Sequence, residues 1–161
     1  MNIKIRKATK KDIPCIIELW KSLMACHRRN FWRPRELFRQ KKNSASLVRK
    51  YLTKLMRARN GRLFVAEVDG KVVGYAEVSI KKLAPIYIHD REAHLGVIFV
   101  EEHHRRRGIG TRLLKEAEGW AKNKGAFSLA LTVFDKNKPA ILAYRKFGFK
   151  EHHVKMSKVI G

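Results

Sequence analysis

The segment Arg105-Arg106-Arg107-Gly108-Ile109-Gly110-Thr111 brings together residue types suited to holding a large anion. Three guanidinium groups precede two glycines. An amphipathic pattern begins at Ile109 and continues through Leu113, Leu114, Ala117 and Trp120 or Ala121 at helical spacing. The first turn of such a helix carries backbone N–H groups without intrahelical acceptors, and its macrodipole places about half a positive charge there. Glycine removes the side chain that would hold a ligand off the backbone. A helix start of this composition suits a diphosphate. It is neither a Gly-Lys-Ser/Thr phosphate loop nor a three-glycine dinucleotide fingerprint. Upstream, residues 94–100 are almost all apolar and read as a central strand buried on both faces, so the basic turn joins a strand to a helix.

Other elements must position that junction. Ile3 and Ile5 alternate with cations, as in a short first strand. Thr9 then caps a helix carrying Ile13, Ile16, Ile17, Trp20, Leu23 and Met24. Residues 27–43 are polar, contain Pro34 and read as a loop or short helix. Ser44 is placed as the cap of a second helix with Leu47, Tyr51, Leu52, Leu55 and Met56 on one face. Residues 63–68 and 72–80 flank Asp69-Gly70, a hairpin signal. After a loop at 84–91, the strand at 94–100 and the helix from Ile109, Asn123-Lys124-Gly125 stops that helix. Residues 127–134 read as a strand, Pro139 opens a short helix that Gly148 closes, and residues 149–159 read as a last strand. The order β-α-α-β-β-β-α-β-α-β predicts an α/β fold with a mixed sheet. No linker divides residues 1–161, which suit a single domain with one core.

The chain carries 37 Lys and Arg against 14 Asp and Glu, a net +23. Such a field attracts polyanions: nucleic acid, acidic protein surfaces or phosphorylated small molecules. Residues 28–62 hold thirteen basic residues against Glu36 alone, a local +12. A solvated helix surface and a basic rim beside a cleft both fit this excess. Cys15 and Cys26 offer no disulfide framework or metal spacing and read as buried small hydrophobes. His103, His104, His152 and His153 form no expected metal site, because adjacent strand residues point to opposite faces. No signal-peptide run is present and no stretch reaches the ~18 consecutive apolar residues of a membrane span, so a cytoplasmic location and no membrane contact are expected.

Landmarks beyond the basic turn carry a family resemblance. Arg105, Gly108 and Gly110 fill the Gln/Arg-x-x-Gly-x-Gly/Ala pattern that follows strand four in the GNAT superfamily of N-acetyltransferases. Asn137, Ala140, Tyr144, Gly148 and Phe149 then occur in the order of that family's next landmark, and Ala8-Thr9 with Asp12 looks like its opening. The chain resembles this superfamily well over residues 63–150 and loosely over 25–60. The resemblance implies a mixed, mostly antiparallel sheet of about six to seven strands, flanked by about four helices and splayed between strands four and five. It implies acetyl-CoA as co-substrate, no metal, and transfer of the acetyl group by direct attack of a primary amine of a small molecule, peptide or protein on the thioester. Carried onto matching positions, the backbone of Ile98, Phe99 and Val100 pairs with the pantetheine arm. Arg105, Arg106, Arg107, Gly108, Ile109, Gly110 and Thr111 wrap the diphosphate. Asn137 hydrogen-bonds the arm, and Tyr144 is both a cofactor contact and the general acid for the departing thiolate.

The general base is not evident. An amine with a pKa of about 10.4 must lose a proton before it attacks. Many family members place a carboxylate in the middle of strand four, where this chain reads Leu95-Gly96-Val97-Ile98. The family's ribosomal-protein N-terminal acetyltransferases place a Glu five residues before the Asn, where this chain has Thr132. Glu92, His94 and Glu77 remain as candidates, each also compatible with a structural or solvated role, and a water relay is the alternative. The acceptor wall falls on His27, Phe31 and Trp32, with Phe38, among many arginines, which favours an acceptor bearing a carboxylate or phosphate. A reading from another class keeps the scaffold but makes it a nucleic-acid- or ribosome-associated binding module. A homodimer is left open.

Overall fold

The computed structural model describes residues 1–31 and 35–160. Gly61–Val68 (β2), Lys71–Lys82 (β3) and Arg91–Val100 (β4) form an antiparallel meander. Ile3–Lys7 (β1) joins β2 antiparallel, and Ser128–Leu131 (β5) joins β4 in parallel, giving the order β1-β2-β3-β4-β5. A parallel pair needs a crossover, which Ile109–Asn123 (α3) supplies. The hairpin at Asp69-Gly70 forms as its sequence demands, with φ of 47° and 84° at the two positions.

Strand alternation sends odd and even residues of β2 to opposite faces. Ile13–Asn30 (α1) and Ser44–Arg57 (α2) cover one of them, burying Ile16, Ile17, Leu23, Leu52 and Leu55 with Leu63, Val65, Tyr75 and Phe99. On the other, α3 buries Ile109, Leu113, Leu114 and Ala117 against Phe64, Ala66, Val78 and Leu95. Lys138–Phe147 (α4) adds Tyr144 and Phe147 to this second layer, and Phe149 joins them. Entry into α1 is tied down by a charge network. The Thr9 N–H and hydroxyl donate to Asp12 Oδ2 at 2.7 and 2.9 Å, and two Arg6 nitrogens donate to the same carboxylate at 2.8 Å each. Thr9 thus precedes a single 3-10 turn, Lys10–Asp12, before α1 begins, and Asn43 rather than Ser44 caps α2.

Several sequence expectations are corrected. Among the described residues the sheet has five strands, not six or seven. Residues 149–160 form no strand; Val154, Met156 and Ile160 are about nine-tenths exposed. The reason lies in the template: β5 is four residues long, too short to support a long edge partner. β5 itself ends at Leu131, because Phe134 turns away into an aromatic cluster, and Phe127 lies outside the strand, exposed and stacked on His89. β4 is not buried on both faces throughout: Gly96 is exposed where β4 parts from β5. Cys15 is exposed and Cys26 half-buried. Eleven residues are three helical turns, so both sit on the side of α1 away from the Ile16–Leu23 stripe. Among the described residues no helix is long and apolar enough to cross a membrane.

Candidate active site

The β4–β5 ladder runs from Glu92↔Ser128 to Leu95↔Leu131 and stops there. Beyond it, Ile98, Phe99 and Val100 remain laddered to β3 on one side while no strand pairs with their other edge among the described residues, so that β4 and β5 part there as a V would require. The vertex is marked by a bulge. Glu77 pairs with Val97 and Val78 with Leu95, leaving Gly96 as the extra residue that bends β4.

At the mouth of the V, the chain leaves β4 through Glu101, whose N–H bonds the Val73 carbonyl at 2.9 Å, and makes one 3-10 turn at Glu102–His104. Arg105 folds back: its Nε donates to the Val100 carbonyl at 2.9 Å and its guanidinium lies 5.6 Å from the Phe99 ring centroid. It braces the junction, although it is exposed, as are Arg106 and Arg107. Arg106 (φ 59°) and Gly108 (φ 75°) both take left-handed conformations, turning the backbone so that α3 starts at Ile109. Ile109, 1% exposed, anchors the turn in the core. A methyl group placed on Gly108 or Gly110 would meet no atom within 4 Å, so this backbone faces open space. Amides of Ile109, Gly110 and Thr111 in a first helical turn, bare glycines and flanking cations fit a diphosphate.

Tyr144 lies on α4, edge-on to Phe149 at 5.7 Å, and burial pushes its hydroxyl up to about 12, so it stays protonated at neutral pH. Asn137 caps α4, its Oδ1 accepting from the Ala140 N–H at 3.4 Å. Of the three base candidates, Glu92 sits at the closed end of the V, where its Oε2 accepts from Ser128 Oγ at 3.4 Å. His94 lies within the laddered half, its pKa lowered by burial and by Lys81, with Glu92 partly opposing. Glu77 alone lies at the vertex. It is 8% exposed, it accepts a short hydrogen bond from the Tyr51 hydroxyl of α2, and burial raises its carboxyl above the usual range while that bond opposes part of the rise. Burial and the bond to Glu77 raise the Tyr51 hydroxyl in turn.

On the α1–α2 side, His27 packs edge-on to Phe31 at 5.8 Å and to Phe134 at 5.1 Å; Phe31 stacks on Phe134 at 5.8 Å, and Phe38 meets it at 5.6 Å. Burial lowers the His27 pKa. Trp32, also expected in this wall, lies outside the described residues. Sequence reasoning missed Phe134, Tyr51 and Gly96. A glycine inside an apolar strand signals a bulge or close approach, so Gly96 was findable; nothing in the local pattern marks the other two. Among the described residues no group of three or more His, Cys, Asp or Glu could hold a metal ion.

The chain is similar to known proteins. The chain matches the Acetyltransferase (GNAT) family over residues 17–149. It is 34% identical over 151 residues to an uncharacterized N-acetyltransferase of Methanocaldococcus jannaschii, spanning 93% of this chain but 62% of that protein. It is 30% identical over 150 residues to the peptidyl-lysine N-acetyltransferase YiaC of Escherichia coli, spanning 90% of this chain and 82% of the relative. The aminoglycoside N-acetyltransferase AAC(6′)-Iy, solved with CoA, shares the fold with a TM-score of 0.78 at 21% identity, over 98% of this chain and 95% of that one. The family match across most of the chain, with the identity to YiaC along nearly its whole length, shows that the chain belongs to the GNAT family of acetyltransferases.

Proposed function

We propose that residues 1–161 act as one acetyl-CoA-dependent N-acetyltransferase domain that acetylates a primary amine. The observation that supports this reading is the left-handed Gly108 at the start of α3, following a strand, β4, whose ladder to β5 stops at Leu95. Acetyl-CoA supplies an acetyl group activated as a thioester. The open β4 edge at Ile98, Phe99 and Val100 pairs with the amides of the pantetheine arm, as an added strand would. The amides of Ile109, Gly110 and Thr111 bind the diphosphate, Arg106 and Arg107 strengthen the local field, and Arg105 holds the turn in shape. Asn137 fixes the start of α4 and lies beside the arm's path. Tyr144 holds the proton that the departing sulfur needs. A backbone N–H at the β4 vertex donates to the thioester oxygen as charge develops there.

The acceptor approaches across the wall of His27, Phe31 and Phe38, extended by Phe134. Aromatic rings beside the local +12 of residues 28–62 favour an acceptor with a carboxylate or phosphate near its amine. A peptide or protein amine fits this description better than a polyamine, and the named peptidyl-lysine acetyltransferase among the relatives supports it. Thiol release from acetyl-CoA, measured against acidic peptides, neutral peptides, polyamines and aminoglycosides, tests the reading. Turnover should be fastest with acidic peptides; a clear preference for the cationic acceptors contradicts it. Two unpaired cysteines, one of them exposed, suit a reducing cytoplasm.

The net +23 favours a second reading, a nucleic-acid-binding module on this scaffold. Its signature is affinity that falls linearly on a log–log plot against salt. A chain that shows that slope with RNA and no acetyl-CoA turnover is such a module.

A further inference from the structure

Burying a carboxylate without a cation costs free energy, and groups kept in that state cluster where chemistry needs them. Glu77 is such a group: among the described residues no cation pairs with it, and Tyr51 Oη is its hydrogen-bond donor. Its position is set by an omission in the neighbouring strand. A methyl at Gly96 would lie 2.6 Å from Glu77 Oε1, so the carboxylate occupies the space that a side chain on β4 would fill. Gly96 is itself exposed, at the residue where β4 parts from β5. The carboxylate therefore lies beneath an opening at the vertex of the cleft.

We propose that Glu77 is the proton acceptor of the acetyl transfer, reaching the acceptor amine over Gly96, and that Tyr51 is the positioning residue that holds its carboxylate there. The proposal rests on the acetyltransferase reading. One ammonium proton passes to a Glu77 oxygen, and the freed nitrogen lone pair forms the C–N bond as the C–S bond breaks. The sulfur takes the Tyr144 proton, the second nitrogen proton restores the tyrosine, and Glu77 releases its proton to solvent. The groups around Glu77 leave its titration distinct. From α2 comes Tyr51, from β3 Tyr75, from β2 the paired Leu63, and from β4 Gly96 and Val97. The inward residues of α1, among them Ile16, Ile17, Trp20, Leu23 and Met24, are uncharged, and His27 lies one turn beyond Leu23.

Glu77 must be ionised to accept a proton, so kcat/KM should rise with pH through its elevated pKa. The Tyr51 hydroxyl favours the ionised form, so Tyr51→Phe should move that acidic limb to higher pH without changing the KM for acetyl-CoA. Glu77→Gln should cut kcat roughly 10²–10⁴-fold and remove the limb, and Glu77→Asp should restore part of the rate. The assay follows thiol release from acetyl-CoA with the panel peptide that the unaltered protein turns over fastest, alongside calorimetric titration with CoA. A raised carboxyl pKa means that the native state holds its proton longer than the unfolded chain, so stability falls as pH climbs through that interval. Glu77→Gln escapes that loss and should be at least as stable at neutral pH, with CoA affinity within about twofold. Unchanged turnover and limb in Glu77→Gln, or loss of its fold, overturns the assignment of Glu77; an unmoved limb in Tyr51→Phe overturns that of Tyr51. Failure of the broader reading looks different: the folded, unaltered protein would take up no CoA and release no thiol with any acceptor, and both proposals would fall together.

Discussion

On the α3 side of the cleft the groups proposed to face the ligand are backbone: amides at the start of a helix, reached through left-handed turns at Arg106 and Gly108. On the α1–α2 side they are side chains gathered from three places, with His27 and Phe31 near the end of α1, Phe38 in the following 3-10 turn and Phe134 beyond β5. The first side needs particular backbone conformations and tolerates few residue types. The second needs rings and charges brought together in space and can change its lining without disturbing the turn. A cofactor site common to a family and an acceptor site peculiar to one member are what such a division would support. It follows that cofactor affinity and acceptor preference should respond to separate sets of substitutions.

The sharpest test of that separation is Tyr144→Phe. If the hydroxyl serves only the departing sulfur, turnover should fall roughly 10²–10⁴-fold while CoA affinity stays within about twofold. Steady-state thiol release and calorimetry measure the two terms. Equal turnover in the variant removes Tyr144 from the chemistry and reduces it to a core aromatic packed on Phe149.

Asp12→Asn acts on the acceptor side's foundation rather than on its lining. It removes a carboxylate that Arg6 and Thr9 hold well below the usual range, chiefly through the Arg6 hydrogen bonds. Urea titration at neutral pH should show a loss of about 1.5–3 kcal/mol. Because the native pKa is depressed, this contribution is complete above the unfolded value near ~4 and is lost as pH falls below it. The gap between the parent protein and Asp12→Asn should therefore narrow in acid, and a gap independent of pH contradicts the assignment. Gly108→Ala tests the cofactor side. The left-handed φ of 75° should cost about 1–2 kcal/mol of stability for a residue with a Cβ. CoA affinity should drop with it, while the KM of the acceptor stays unchanged. Phe134→Ala should do the reverse at the smallest scale, raising the acceptor KM by about fivefold, near 1 kcal/mol, with CoA binding intact.

How much of this could be read in advance follows the same division. Asp69-Gly70 and Gly148 take positive φ, and each was legible because a backbone conformation selects its residue locally; Gly108, read only as a glycine that lets a ligand approach, takes positive φ too. Helical stripes located the cores of α1 and α3 for the same reason. Cys15 and Cys26 misled, because small apolar character was read without asking on which side of α1 an eleven-residue spacing would place them. The tail misled too, since apolar residues at 149–159 matched a strand pattern while the four residues of β5 gave it nothing to pair with. The vertex was the hardest part. Glu77 stood among three equal candidates until β3, β4 and α2 were seen to meet. A carboxylate lodged under a neighbouring strand's glycine is a relation between residues nineteen positions apart, and neither residue announces the other.

The central claim is that the amides opening α3 hold the diphosphate of the coenzyme. Calorimetric titration with CoA and with pantetheine, which has the arm but no diphosphate, tests it most directly. CoA should bind at one site, with pantetheine weaker by a hundredfold or more, and at about 100 times its Kd CoA should stabilise the fold by roughly 2.7 kcal/mol. Equal affinity for the two ligands, or no uptake of CoA by well-folded protein, would contradict the account.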